Sequence, residues 1–158
     1  MRSDPAAVEI RNLAESDLQA VIGLVESLED APHWPQQTFV QMLSGEFRTN
    51  RIALVAVDAG SEDVLGFTVA SLVPPEAELE NVAVAREVQR RGIGRRLLTK
   101  LAAELREAGI ETVHLEVRAS NRAAIGLYNS FGFSETGRRP RYYSRPVEDA
   151  ALMTLHLG

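Results

Sequence analysis

The chain of 158 residues contains no cysteine. It therefore has no disulfide, no thiolate zinc site and no cysteine nucleophile, so any group transfer must be direct or use another residue. No metal site is expected. No stretch approaches the ~20 consecutive apolar residues that span a bilayer. The opening "MRSDPAAVEI" has an early acid and a proline but no apolar core region, which excludes a secretory signal and makes the cytoplasm the expected location, with no membrane partner. Basic residues are scarce in the first half: residues 1–85 carry 4 basic and 14 acidic side chains, against 13 and 8 in residues 86–158, so the halves hold −10 and +5 of the net −5. Much of the positive charge lies at Arg86, Arg90, Arg91, Arg95 and Arg96. That grouping suits a compact phosphate ligand better than a nucleic-acid duplex, and no nucleic-acid partner is expected.

Hydrophobic residues at 45% and charged residues at 25% fit one globular domain spanning residues 1–158. "VEIRNL" alternates as a half-buried strand does. In "ESDLQAVIGLVESLED", Leu18, Val21, Ile22, Val25 and Leu28 share a helical face, with Ser16 as the expected N-cap. "DAPHWPQQTFVQMLSGEF" reads as a loop and a short helix ending near Gly45. "RIALVAVD" and "VLGFTVASLV" form a hairpin around "AGSED", and "AELENVAV" is a third strand. A helix from about Gly94 to Ala108 closes at Gly109. "ETVHLEV" follows as a strand, then a short helix from Ser120 or Asn121 to Gly132, a strand, and "DAALMTLHL" as the last strand. The order β-α-α-β-β-β-α-β-α-β-β is a mixed α/β domain.

"QRRGIGRRLL" sets two glycines among arginines at the start of a helix. A nucleoside-triphosphate loop would need Lys-Ser or Lys-Thr after the second glycine, and a dinucleotide loop would need a third glycine where Leu97 stands. Two readings remain. Gly92 and Gly94 either make a tight strand-to-helix turn, or leave room for a pyrophosphate at the positive end of the helix.

"NVAVAREVQRRGIGRRLL" resembles the acetyl-coenzyme A loop of the GCN5-related N-acetyltransferase superfamily, and "LEVRASNRAAIGLYNSFGF" resembles that superfamily's next motif, in the right order and spacing. Within it, "LEVRASN" and "RRPRYYSRPVEDAALM" are similar to the RimI type, the ribosomal-protein alanine N-acetyltransferases, and "PHWPQQTF" resembles that type's Pro-Trp segment. The resemblance is close from about Glu78 to Met153. It implies a mostly antiparallel central sheet, flanked by helices, whose strands "ELENVAV" and "TVHLEV" part to admit the acetyl arm.

It also implies roles. Glu116 interrupts the apolar run "VHLEV"; periodicity alone makes it the solvent half of an alternating strand, whereas the resemblance makes it the proton acceptor. His114, on the same face, reads as a strand residue with a satisfied ring or as a rival base. Tyr128 reads as a core tyrosine from its helix and, by resemblance, as the acid that protonates the departing coenzyme A thiolate. Backbone groups of Val82, Ala83 and Val84 would pair with the pantetheine arm. Arg90, Arg91, Gly92, Ile93, Gly94 and Arg95 would wrap the pyrophosphate of acetyl-CoA, and Asn121 would reach the pantetheine. Trp34, Tyr142 and Tyr143 would wall a site for the N-terminal peptide of a ribosomal protein. An acetyltransferase of broader amine specificity and a non-catalytic coenzyme A sensor are the rival readings.

Overall fold

The computed structural model of the chain describes residues 7–28, 36–41 and 50–158. Its elements are β1 (Val8–Asn12), α1 (Leu18–Glu26), α2 (Gln36–Gln41), β2 (Arg51–Asp58), β3 (Val64–Val73), β4 (Glu76–Val84), α3 (Ile93–Glu107), β5 (Thr112–Arg118), α4 (Arg122–Phe131), β6 (Ser134–Ser144) and β7 (Val147–His156). This is the element order expected from the sequence. Trp34 and the expected end of the short helix near Gly45 lie outside the described residues. No helix among the described residues is long and apolar enough to cross a membrane.

The seven strands form one sheet in the order β1-β2-β3-β4-β5-β7-β6. Every neighbouring pair is antiparallel except β4 and β5, which are parallel because the crossover helix α3 returns the chain to the same end. That parallel pairing covers only Glu76–Thr112, Ala77–Val113 and Glu78–His114. Beyond Glu78 the two strands part, and residues 79–84 of β4 have β3 alone as their ladder partner.

A bulge in β4 helps set this geometry. Leu79 lies opposite Ala70 and Asn81 opposite Val69, which leaves Glu80 as the extra residue. Side chains change face there: Ala77 and Leu79 join the core beneath α3, Val82 and Val84 pack against that same core, and Ala83 turns to the core beneath α1. Arg51 holds the bulged residue by a fork on Glu80, Nε to Oε1 at 2.8 Å and Nη2 to Oε2 at 3.2 Å.

Two apolar layers flank the sheet. On one face α3 buries Ile93, Leu97, Leu98, Leu101, Ala102 and Leu105, a stripe at helical spacing, against Val113, Leu115 and Val117 of β5 and Tyr128 of α4. On the other face α1 and Phe39 of α2 cover Val55, Phe67, Val69 and Ala83, and this core extends no further than β4. The surface of β5, β7 and β6 on that side is thus left as an open groove.

The start of α1 departs from expectation. Ser16 is exposed and caps nothing; the helix is preceded by a turn at Glu15–Asp17, which the buried Asp17 carboxylate closes, its Oδ2 accepting the Ala14 N–H at 2.8 Å, and no side chain caps α1 itself. Asp17 lies one residue deeper and faces Arg11, which reaches both its oxygens, at 2.7 and 3.0 Å. The bond from Arg11 outweighs burial and holds the Asp17 carboxyl below the ordinary range. The folded state therefore binds this proton less tightly than the unfolded chain, so the stabilisation is complete above about pH 4 and fades as pH falls through the lowered native value. We predict that Asp17→Asn destabilises the protein by about 1–3 kcal/mol at pH 7 in urea titrations. The gap from wild type should shrink at pH 3; an equal gap at both pH values would refute the assignment.

Candidate active site

The chain leaves β4 at Val84, makes a short turn at Arg86–Val88 and enters α3 nine residues later, so the helix start stands beside the parted end of β4. Buried Val88 anchors the turn, and the Gln89 side chain donates to the Val84 carbonyl at 3.0 Å, closing the loop on the strand it came from. Gly92 adopts φ +81° as N-cap and no side chain caps the helix. The first bond onto it runs from the Arg96 N–H to the Gly92 carbonyl at 3.0 Å, so the N–H groups of Ile93, Gly94 and Arg95 precede the ladder. A Cβ at Gly92 would meet nothing within 4 Å, so the loop's outer face is open. Three aligned amides, a helix dipole and Arg90 and Arg91 beside them fit an anion of pyrophosphate size.

Gly94 has a different reason to be glycine. Its added Cβ would lie 3.1 Å from Leu127 Cδ2, so its lack of a side chain lets α4 pack on the first turn of α3. The side chain of Ile93 is core, leaving only its backbone to face a ligand. The Arg95 side chain turns away toward α4, donating to the Ser130 carbonyl and hydroxyl at 3.3 Å each and lying 5.7 Å from the centre of the Phe131 ring.

On β5, Val113, Leu115 and Val117 point into the α3 core while Thr112, His114, Glu116 and Arg118 take the opposite face. Glu116 is thus on the polar side of the alternation, but not in open solvent: its side chain is 21% exposed and lies in a groove of about 440 Å³ with Glu76, Glu78, His114, Arg139 and Thr154. His114 has both ring nitrogens engaged, Nε2 with Glu76 Oε1 at 2.7 Å and Nδ1 with Thr154 Oγ1 at 3.2 Å. The ring is thus satisfied and forms part of the groove wall.

Asn121 is the N-cap of α4, its Oδ1 accepting the Ala124 N–H at 3.1 Å, with its side-chain NH2 not engaged in that cap. The α4 helix ends at Gly132, φ +116°. Between these caps Tyr128 is buried against Phe133, with ring centres 5.6 Å apart. Burial pushes its phenol up to about 12. The charge of Tyr143 adds to that rise, while Tyr143 is itself raised by burial and by Glu116.

Sequence reasoning missed the immediate partners of Glu116. Arg139 Nε lies 3.3 Å from its Oε1, and the Tyr142 phenol is raised chiefly by hydrogen bonding to the same carboxylate. Both come from β6, whose register with β7 breaks between Arg139 and Tyr143, where Arg141 takes φ +53° and its N–H is held by Asp149 at 3.0 Å. Pro140 within a strand-like run was the one signal of this irregularity. Glu78, on β4, is raised by burial and by the charge of Glu116.

The structure thus sets an uncapped helix start beside a parted pair of central strands, with the Glu116 carboxylate on one face and the buried Tyr128 phenol on the other. The chain belongs to the acetyltransferase (GNAT) family, whose model matches residues 9–133. It is 41% identical over 148 residues to the [ribosomal protein bS18]-alanine N-acetyltransferase of Salmonella typhimurium, covering 92% of this chain and 95% of that protein. It is 36% identical over 151 residues to the protein of the same name in Escherichia coli K12, covering 94% and 97%. The crystal structure of the Escherichia coli ribosomal-protein-S18-alanine N-acetyltransferase superposes with a TM-score of 0.82 at 35% identity, over 96% of this chain and 94% of that one.

The two glycines should separate experimentally. Gly94→Val overpacks the α3–α4 contact and should cost about 1–3 kcal/mol of stability in thermal unfolding. Gly92→Asp meets open space; the positive φ costs only about 1 kcal/mol, but its carboxylate stands at the anion site and should weaken CoA binding at least about tenfold by calorimetry. Unchanged CoA affinity in a folded Gly92→Asp protein would remove the loop from the site.

Proposed function

We propose that this protein transfers an acetyl group from acetyl-CoA to the N-terminal α-amine of a ribosomal protein that begins with alanine, in the cytoplasm, by direct transfer without an acyl-enzyme. The substrate is a protein N-terminus, not a nucleic acid or a membrane. The observation that carries this reading is the placing of Glu116 and Tyr128 on the two faces of the sheet where β5 has parted from β4. The relatives' names supply the substrate: they act on the alanine of ribosomal protein bS18.

The residues fit the co-substrate. The amides of Ile93, Gly94 and Arg95, with Arg90, Arg91 and Gly92, would hold the pyrophosphate; backbone groups of Val82, Ala83 and Val84 would pair with the pantetheine arm as an added strand, and the amide of Asn121 would reach it from α4. Bound acetyl-CoA supplies the activated acyl group. An α-ammonium of pKa ~7.7–8.0 must lose a proton before attack, and Glu116 is the acceptor. As the amine nitrogen bonds to the acyl carbon and the carbon–sulfur bond breaks, Tyr128 donates its proton to the sulfur, and the second proton of the nitrogen is lost to solvent, from which the Tyr128 phenolate is reprotonated, so that the products are a neutral amide and a thiol. A phenol near 12 keeps that proton throughout the neutral range. Its ordinary value of about 10 would give a stronger driving force, but the same apolar surroundings raise the basicity of a thiolate formed there.

The test is release of CoA thiol with three peptides: one beginning Ala-Arg-Tyr, the same peptide with its α-amine blocked, and one offering only a lysine amine. Only the first should react. Glu116→Gln should retain CoA binding while the rate falls about 10²–10⁴-fold at pH 7. Equal turnover of the lysine peptide would replace the narrow reading with a general protein acetyltransferase, and no turnover of any peptide would favour a CoA sensor.

A further inference from the structure

The groove that holds Glu116 brings three carboxylates together, Glu76, Glu78 and Glu116, with one guanidinium, that of Arg139. Glu76 is answered by His114. Arg139 serves the other two: it pairs with Glu116 at 3.3 Å and also draws down the neighbouring Glu78. An α-amine arrives at neutral pH largely as an ammonium, so at Glu116 it would compete with Arg139 for the same negative charge. Two cations cannot both sit against one carboxylate oxygen without repulsion, and the approach of one favours the departure of the other.

We propose that Arg139 is an exchangeable counter-cation, balancing Glu116 until the α-ammonium of the substrate displaces it, and so tunes the site for a cationic amine. This rests on the reading of Glu116 as the proton acceptor. The construction of the two nearby arginines supports it. Arg118 is built in: its guanidinium donates to the carbonyls of Pro146 and Arg145, both at 3.1 Å, pairs with Glu148 at 3.3 Å and lies 4.3 Å from the centre of the Tyr143 ring. Arg139 is held by one ion pair and by a looser stacking 5.5 Å from the centre of the Tyr142 ring, and its side chain is 57% exposed. It stands where the β6–β7 register begins to break. An exposed pair of this kind is weak and can be exchanged at little cost. On leaving Glu116, the side chain still has the Tyr142 face and Glu78 within reach, so its charge does not go uncompensated.

The experiment is calorimetry at pH 7 in saturating CoA, which carries no acetyl group, with an alanine-first peptide and with the same peptide acetylated at its α-amine. Wild type, Arg139→Met and Arg139→Lys are compared, each first shown to be folded by thermal unfolding. Arg139→Met should bind the free-amine peptide about two- to fivefold more tightly, the equivalent of one exposed ion pair, and leave the acetylated peptide unchanged; Arg139→Lys should behave as wild type. Unchanged or weaker binding of the free-amine peptide by Arg139→Met overturns the proposal. So does equal tightening for both peptides, which would make Arg139 a general electrostatic brake. A wild-type protein that binds CoA but neither peptide contradicts the peptide-substrate reading itself, and this inference with it.

Discussion

The whole arrangement depends on a parallel strand pair that is too short. Strands β4 and β5 share three residue pairs, then diverge while β4 continues for six residues and β5 for four. A continuous ladder would satisfy the backbone of both strands and close the sheet. Because it stops at Glu78, the sheet opens at its centre, with β3 holding the far side of β4 and β7 pairing along the whole of β5. The gap is thus framed by two well-supported strands and needs no flexible element to exist.

Each functional group takes its position from that gap. The short connection from Val84 to Ile93 puts the α3 N-terminus at the open end of β4. The strict alternation of β5 sends Val113, Leu115 and Val117 to the α3 core and Glu116 to the groove. Packing of α4 on Gly94 through Leu127 brings Tyr128 under the sheet. The charge imbalance seen along the chain acquires a spatial meaning only in part: Arg90 and Arg91 stand beside the α3 start, but Arg95 turns to Ser130 and Arg96 to the Val8 carbonyl, while Glu76 and Glu78 of the acidic half line the groove of Glu116.

Much of this was legible in the sequence, and for physical reasons. Period-two alternation predicted β5 and the face of Glu116; the Gly109 and Gly132 helix ends were read from glycine's ease at positive φ, and of the two caps the sequence offered, Ser120 and Asn121, the structure uses Asn121. Other features depended on tertiary contact. The Ser16 cap expected for α1 is not made, and the neighbouring Asp17 carboxylate is drawn instead to Arg11, six residues earlier and on another element. The role of Gly94 could not be told from that of Gly92 without α4 in place. That Arg139 and Tyr142 meet Glu116 was not foreseen because a break in β6 register aims them, and strand alternation cannot foresee where it falls. The rise of the Tyr128 phenol to about 12 comes from burial beneath a sheet that a short helical motif does not reveal.

The central claim is that the unpaired edge of β4 is the seat of the acetyl donor's arm, joined to it as a strand would be. Amide hydrogen exchange of residues 79–84, followed with and without saturating CoA, tests this directly. The account predicts that amides within Val82–Val84 exchange at least about tenfold more slowly with CoA present, together with those of Ile93, Gly94 and Arg95. Protection confined to the α3 start, with β4 unchanged while CoA is bound, would contradict it.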